Sequence, residues 1–167
     1  MKTNRLLSVF NFIALSIHIA ASAASQLKLI NERDVSEVSN LFPTLFTPAG
    51  FTFSIWGIIY ITLTAMCIYH IVVSFKYDKL HADNQAIEKM SGWFIVNNIA
   101  TAAWLYFWTH VQIALAELMI VIQLVSLVII HIRLDIHVAS RPLLNKIFTQ
   151  MPLSIYLGWI SIATIAN

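Results

Sequence analysis

The sequence predicts an all-α membrane protein, a single bundle of five transmembrane helices with the N-terminus inside and the C-terminus outside. Three observations carry that expectation. Hydrophobic residues make up 59% of the 167-residue chain and charged residues only 11%, against about 25% charged in a soluble domain. Residues 6–27, 51–75 and 91–116 contain no Asp, Glu, Lys or Arg, and a helix needs only about 20 apolar residues to cross ~30 Å of hydrocarbon. Threaded as five spans, the chain puts eight of its ten Lys and Arg on one side, which orients it by the positive-inside rule.

The first span covers about residues 6–25, after Lys2 and Arg5. Its start also matches a secretory signal: a basic beginning, an apolar run and the small-x-small site Ala21-Ser22-Ala23. Cleavage or retention leaves the remaining topology the same. Ser16, Ala20 and Ala24 form a small-residue stripe expected to allow close helix contact. Residues 26–50 are read as an outer loop, its first part polar and its last part, 41–50, apolar with two prolines, which predicts a lid over the bundle mouth.

The second span is placed at about residues 51–75, followed by a connection holding Lys76, Lys79 and Lys89. The third, about 91–109, and the fourth, about 113–132, are joined by a turn so short that they must form an antiparallel hairpin. Arg133, Arg141 and Lys146 follow on the inner side. Residues 153–167 alone would reach only about 22 Å at ~1.5 Å per residue. The fifth span is therefore expected to begin near Leu143 and bend at Pro152, covering 143–167 as the end of one domain spanning 1–167.

Composition also excludes function classes. A net charge of +2 sits on residues flanking the spans and forms no basic patch, so no nucleic-acid partner is expected. The single cysteine, Cys67, permits no internal disulfide and no CxxC motif. His18, His70, His110 and His131 lack the i, i+4 pairing that builds a metal site, so no metal is expected. There is no nucleophile beside a base, no phosphate loop and no carboxylate pair, which leaves conventional hydrolase or kinase chemistry without support.

The residues that remain are aromatic. Phe53, Trp56, Tyr60, Thr64 and Cys67 recur at helical spacing on the second span; Trp93, Asn97, Thr101, Trp104 and Trp108 on the third; Pro152, Tyr156, Trp159, Ala163 and Asn167 on the fifth. In the five-span threading these faces converge near the outer end. They describe a pocket for a large planar apolar ligand, with Tyr60, Asn97, Asn98, Tyr156 and Asn167 as sparse polar handles. The competing reading is ordinary packing, or for Trp93 and Trp108 an interfacial belt. Asn97 and Asn98 also suit bonds between helices, Gln123 reads as structural, and Glu117 is the one carboxylate inside a span.

The run 46–60, Phe46-Thr-Pro48-Ala-Gly-Phe51-Thr-Phe53-Ser-Ile-Trp56-Gly-Ile-Ile-Tyr60, resembles the segment entering the second helix of the tryptophan-rich sensory protein family, also called translocator protein or peripheral benzodiazepine receptor. Asn97-Asn98 with Ala103-Trp104 and Phe107 is similar to that family's third helix, and Pro152, Tyr156, Trp159, Ala163 and Asn167 to its fifth. The resemblance implies a five-helix bundle, often a homodimer, that binds porphyrins, haem or sterol-like molecules beneath the loop between its first two helices. Together with the helical faces and the proline-bearing loop, it places ligand contacts at Phe46, Pro48, Phe53, Trp56, Tyr60, Asn97, Trp104, Trp108, Tyr156 and Trp159, and it implies porphyrin contact by Trp56 and Trp159 with a photochemical role if the protein degrades porphyrin under light. Departures mark a divergent branch: Phe46 and Pro48-Ala49 stand where the family has a tryptophan and a double proline, and the family's sterol motif is not present.

The expected function is thus a membrane receptor for planar hydrophobic ligands, with porphyrin or haem as ligand and no required cofactor, in the cytoplasmic membrane if the source is bacterial. Two rivals stay open, a light-dependent porphyrin-degrading enzyme and a small carrier or assembly subunit relying on Glu117, Asn97 and Asn98.

Overall fold

The computed structural model describes residues 2–43, 49–136 and 140–166, and they are helical, with no strand among them. The helices are α1 (Lys2–Gln26), α2 (Val35–Ser39), α3 (Ile55–Lys76), α4 (Ala82–Met90), α5 (Trp93–Thr109), α6 (Ile113–Leu134), α7 (Leu143–Asn145) and α8 (Met151–Ala166). A 3₁₀ turn, Gly50–Ser54, leads into α3, and a π-helical turn, Lys146–Gln150, joins α7 to α8. Three segments are long and apolar enough to cross a membrane: Lys2–Gln26, Gly50–Lys76 and Ile113–Leu134.

The solvent these helices expect is visible in α1. Its exposed face is Leu6, Phe10, Ile13 and Ile17, whereas Asn4, Ser8, Asn11, His18 and Ser25 are buried. A water-facing helix has the reverse pattern. In lipid, polar side chains turn inward to find partners. Most do: Asn4 Nδ2 donates to Asn84 O (2.9 Å), Ser8 and Ser74 share a hydrogen bond (2.9 Å), and His18 Nδ1 pairs with Asn98 Oδ1 (2.9 Å). The Ser16–Ala20–Ala24 stripe does not pack on the chain's own helices as expected. Ser16 and Ala20 are exposed, because burying the polar stripe turns this face outward.

Helices α1, α3, α8, α6 and α5 close a ring in that order, each packed on the next and α5 returning to α1. The ring is filled by Leu15, Ile59, Leu63, Met66, Phe94, Leu127 and Leu153, all fully buried. Asn97 Nδ2 donates to Gln123 O (3.0 Å) and Ser126 Oγ (3.1 Å), tying α5 to α6. Both mid-span asparagines therefore link helices. The α5–α6 turn closes with Val111 N–H on Trp108 O (2.9 Å) and Gln112 N–H on Phe107 O (2.9 Å), a Schellman closure that places Val111 at φ 59°. A β-branched residue there stores about 1–3 kcal/mol of strain.

Three details differ from the sequence reading. The connection after α3, given no element from the sequence, contains α4, whose Asp83, Asn84, Ile87 and Met90 are buried. Asp83 accepts from Tyr69 Oη (2.7 Å) and from Asn145 Nδ2, so a polar cluster joins α3, α4 and α7. The irregularity expected at Pro152 falls in the π turn before it, because the proline ring crowds the carbonyl four residues back and the chain widens to avoid it. Finally, the stretch read as polar loop contains a helix, α2, that packs on the bundle, with Val35 and Val38 at 4% and 0% exposure.

Candidate functional site

Helix α2 stands because of its surroundings, since five residues cannot hold a helix alone. Asp34 caps it: its Oδ1 accepts from Glu37 N (2.9 Å) while Glu37 Oε2 accepts from Asp34 N (3.0 Å). The indole Nε1 of Trp108 donates to Val35 O (3.1 Å), and Asn31 Nδ2 donates to Thr109 O (2.7 Å). Lys28 Nζ lies 2.6 Å from Glu37 Oε1. That hydrogen bond holds the Glu37 carboxyl below its ordinary range and raises the Lys28 ammonium above its own.

Beneath α2 lies a cavity of about 40 Å³. Val35 and Ser39 form its roof, Phe53 and Trp56 one wall, Trp104 and Trp108 another, and Ile120, Gln123, Trp159 and Ile160 close the sides. Four of the five tryptophans meet here. Helical spacing of four stacks Trp104 on Trp108, with centroids 5.7 Å apart and planes at 19°. Across from them Trp159 meets Trp56 (6.2 Å, 80°) and Phe53 (6.3 Å, 80°) edge to face. Each such pair adds about 0.5–1.5 kcal/mol beyond burial, so the walls are mutually braced.

Of the sequence-derived residues, Phe53, Trp56, Trp104, Trp108 and Trp159 line the cavity. Trp108 is therefore not an interfacial belt residue; it is 4% exposed and points inward. Trp93 is only partly buried, with Arg133 over its ring at 5.8 Å. Tyr60, Tyr156 and Asn97 are not in the cavity wall. Their polar atoms serve the supporting shell: Tyr60 Oη donates to Ser22 Oγ (2.7 Å), and Tyr156 Oη and Thr101 Oγ1 share a bond (2.9 Å). Through these, Tyr60 and Tyr156 hold Trp56 at 5.4 and 5.9 Å. His110 turns toward Tyr106, its ring nitrogen on Tyr106 O at 2.8 Å, rather than toward the cavity. Phe46, Pro48 and Asn167, with residues 44–48 of the expected lid, lie outside the described residues.

Sequence reasoning missed Gln123, Ile120, Val35 and Ser39. The first two were within reach, because Ala116, Ile120, Gln123, Leu127 and Ile130 recur at steps of four and three and all are buried. Gln123 is the amide that this stripe brings to the cavity. Polar supply is otherwise sparse: Trp108 Nε1 is used on Val35, and Trp159 Nε1 is buried without a partner among the described residues. Flat apolar faces with few polar groups recognise a planar hydrophobic molecule. At about 40 Å³ the cavity holds only a few waters, well short of the ~300–1,000 Å³ of a small-molecule site. A planar guest requires its walls to part.

Apolar residues facing outward, polar residues facing inward and an aromatic cavity beneath a capped helix together define a helical membrane protein with an internal hydrophobic site. The chain belongs to the TSPO-like protein family, whose model matches residues 8–167, nearly the whole sequence. No curated protein and no solved structure matches it.

Proposed function

We propose that this protein is a five-span membrane receptor that binds a planar hydrophobic ligand, a porphyrin-type tetrapyrrole by preference and a sterol-like lipid as a second class, for sensing, sequestration or transfer. The carrying observation is the convergence of Trp56, Trp104, Trp108 and Trp159 on one cavity from three helices. Stacked indole faces offer a macrocycle contact area and polarisability without requiring hydrogen bonds. Opening proceeds by displacement of the walls or of α2, and burial of the ligand offsets the packing that this displacement breaks.

In the proposed topology, α1, α3, α5, α6 and the segment from α7 through α8 each cross the bilayer, with the cavity in the outer half and the Asp83 cluster near the inner surface. The buried Cys67 gives a quiet background for labelling. Lys28→Cys is expected to react with an impermeant thiol reagent from outside, and Lys79→Cys only after permeabilisation. The reverse pattern overturns the orientation.

The test of function is titration of protein in nanodiscs with protoporphyrin, read by tryptophan quenching. Saturable quenching is expected, weakened about tenfold by Trp56→Ala or Trp104→Ala, equivalent to ~1.4 kcal/mol of binding free energy. Unchanged affinity in both variants refutes the site.

A further inference from the structure

The cavity is closed in unlike ways on two sides. Toward the charged outer segment it is latched by hydrogen bonds, from Trp108 Nε1 to Val35 O and from Asn31 Nδ2 to Thr109 O, with Lys28 tied to Glu37 below them. Toward the α3–α8 side the closure is Trp159 and Ile162, and neither is held by a polar bond of its side chain: the Trp159 indole N–H is buried without a partner among the described residues. Ring contacts with Trp56 and Phe53, and apolar packing in the core, keep that indole in place.

Behind these two residues lies a second space. A groove of about 450 Å³ runs between the start of α3 and α8, lined by Phe51, Ile55, Ile58, Ile155 and Gly158, and Trp159 and Ile162 form its inner wall. The same two side chains line the tryptophan cavity. They are a partition one residue thick between a small space and a larger, more open one. The groove opens outward, with Phe51 81%, Ile58 51% and Ile162 49% exposed. It lies on the apolar surface that a bilayer would cover, so what reaches it is a molecule dissolved among acyl chains.

We propose that the α3–α8 groove is a lateral portal, where a planar apolar molecule docks from the bilayer and from which it passes into the tryptophan cavity by displacing Trp159 and Ile162. The inference rests on the ligand-binding reading above. The groove's size falls within the range of small-molecule sites, which the tryptophan cavity does not reach. Displacing the Trp159 and Ile162 side chains breaks no hydrogen bond of theirs among the described residues, and the ligand stays out of water, whereas passage beneath α2 breaks several.

Gly158 supplies the test. It lines the groove and not the cavity, a Cβ built there meets nothing within 4 Å, and leucine favours a helix interior over glycine. Gly158→Leu therefore fills the groove without disturbing the cavity, and Ile58→Trp narrows it from the opposite wall. Reconstituted protein is mixed with phosphatidylcholine vesicles preloaded with protoporphyrin, and tryptophan quenching is followed by stopped flow. Association and dissociation rates are both expected to fall tenfold or more in each variant, with Kd unchanged within twofold, because a passage alters both directions alike. Asp34→Ala, which loosens α2, is expected to leave these rates unaltered.

Saturable wild-type quenching with unchanged rates in both groove variants overturns the portal and leaves the cavity standing. Faster uptake by Asp34→Ala overturns it in favour of passage beneath α2. A loss of equilibrium affinity in folded Gly158→Leu with no loss in Trp104→Ala makes the groove the resting site, which also overturns it. Absence of saturable quenching in the wild type removes both the cavity reading and the portal.

Discussion

Replacing Trp108 by phenylalanine isolates the bond that holds α2 over the cavity. The phenyl ring keeps stacking against Trp104, but Val35 O loses its donor, 3.1 Å away in the native protein. When α2 lifts, that carbonyl regains water, so the relevant loss is the net value of a hydrogen bond, about 0.5–1.5 kcal/mol. With RT near 0.59 kcal/mol, this multiplies the lifted population by about 2- to 13-fold. Val35 and Val38, buried to 4% and 0% exposure, each contribute ~1.5–3 kcal/mol on docking. That outweighs the lost bond, so the variant loosens α2 without releasing it. Hydrogen exchange in nanodiscs reads this at the Val38 and Asn40 amides, which donate to Asp34 O (3.2 Å) and Ser36 O (3.0 Å). Exchange there is expected to rise about fivefold for a central loss of ~1 kcal/mol, while α5 and α6 stay protected. Asp34→Ala, which removes the cap, provides the positive control at ~0.5–2 kcal/mol. Unchanged exchange in Trp108→Phe alongside faster exchange in Asp34→Ala would show that the indole N–H does not hold the helix.

Three further outcomes follow from the same structure. Because the Glu37 pKa is depressed below 4.5 and the Lys28 pKa raised above 10.5, their pairing supports α2 fully between those values. That support is lost as pH falls through the folded Glu37 pKa or rises through the folded Lys28 pKa; in exchange corrected for intrinsic rates, Lys28→Ala should abolish the alkaline limb and shrink the acid one, which the Asp34 N bond to Glu37 keeps in part. Asp83→Leu strands the buried Asn145 amide at about 1–3 kcal/mol and removes the bond of the part-buried Tyr69 hydroxyl at about 0.5–1.5 kcal/mol; a thermal midpoint equal to wild type would contradict the polar cluster's role. Tyr156→Phe removes the Thr101 bond between α5 and α8 at ~0.6 kcal/mol, the mean for bonds between membrane helices. Its denaturation free energy should drop by that small amount, and a loss above ~2 kcal/mol would mean the tyrosine does more than bond to Thr101.

The helices were legible because the apolar runs are long and bounded by charge, and the tryptophan faces because side chains three and four apart must share a side of a helix. Trp56, Trp104 and Trp159 were assigned to one site on that basis and line one cavity. Tyr60 and Tyr156 sit on the same faces yet serve the shell, since whether a hydroxyl points into a space or across to Ser22 or Thr101 depends on the neighbouring helix. For Trp108 the sequence leaves the site and an interfacial belt both open, because its orientation is set by α2, a helix that spacing alone does not reveal.

By itself the sequence determined that the chain is helical, that lipid is its solvent and which residues share a helical face, because these follow from local periodicity and from where charge is tolerated. Only the tertiary structure decided that the ring runs α1, α3, α8, α6, α5, that a capped five-residue helix roofs the cavity, and that Trp159 stands between two spaces. Those facts depend on which faces meet across distant segments, and the free energy that selects them comes from packing and hydrogen bonds formed only once the helices are together.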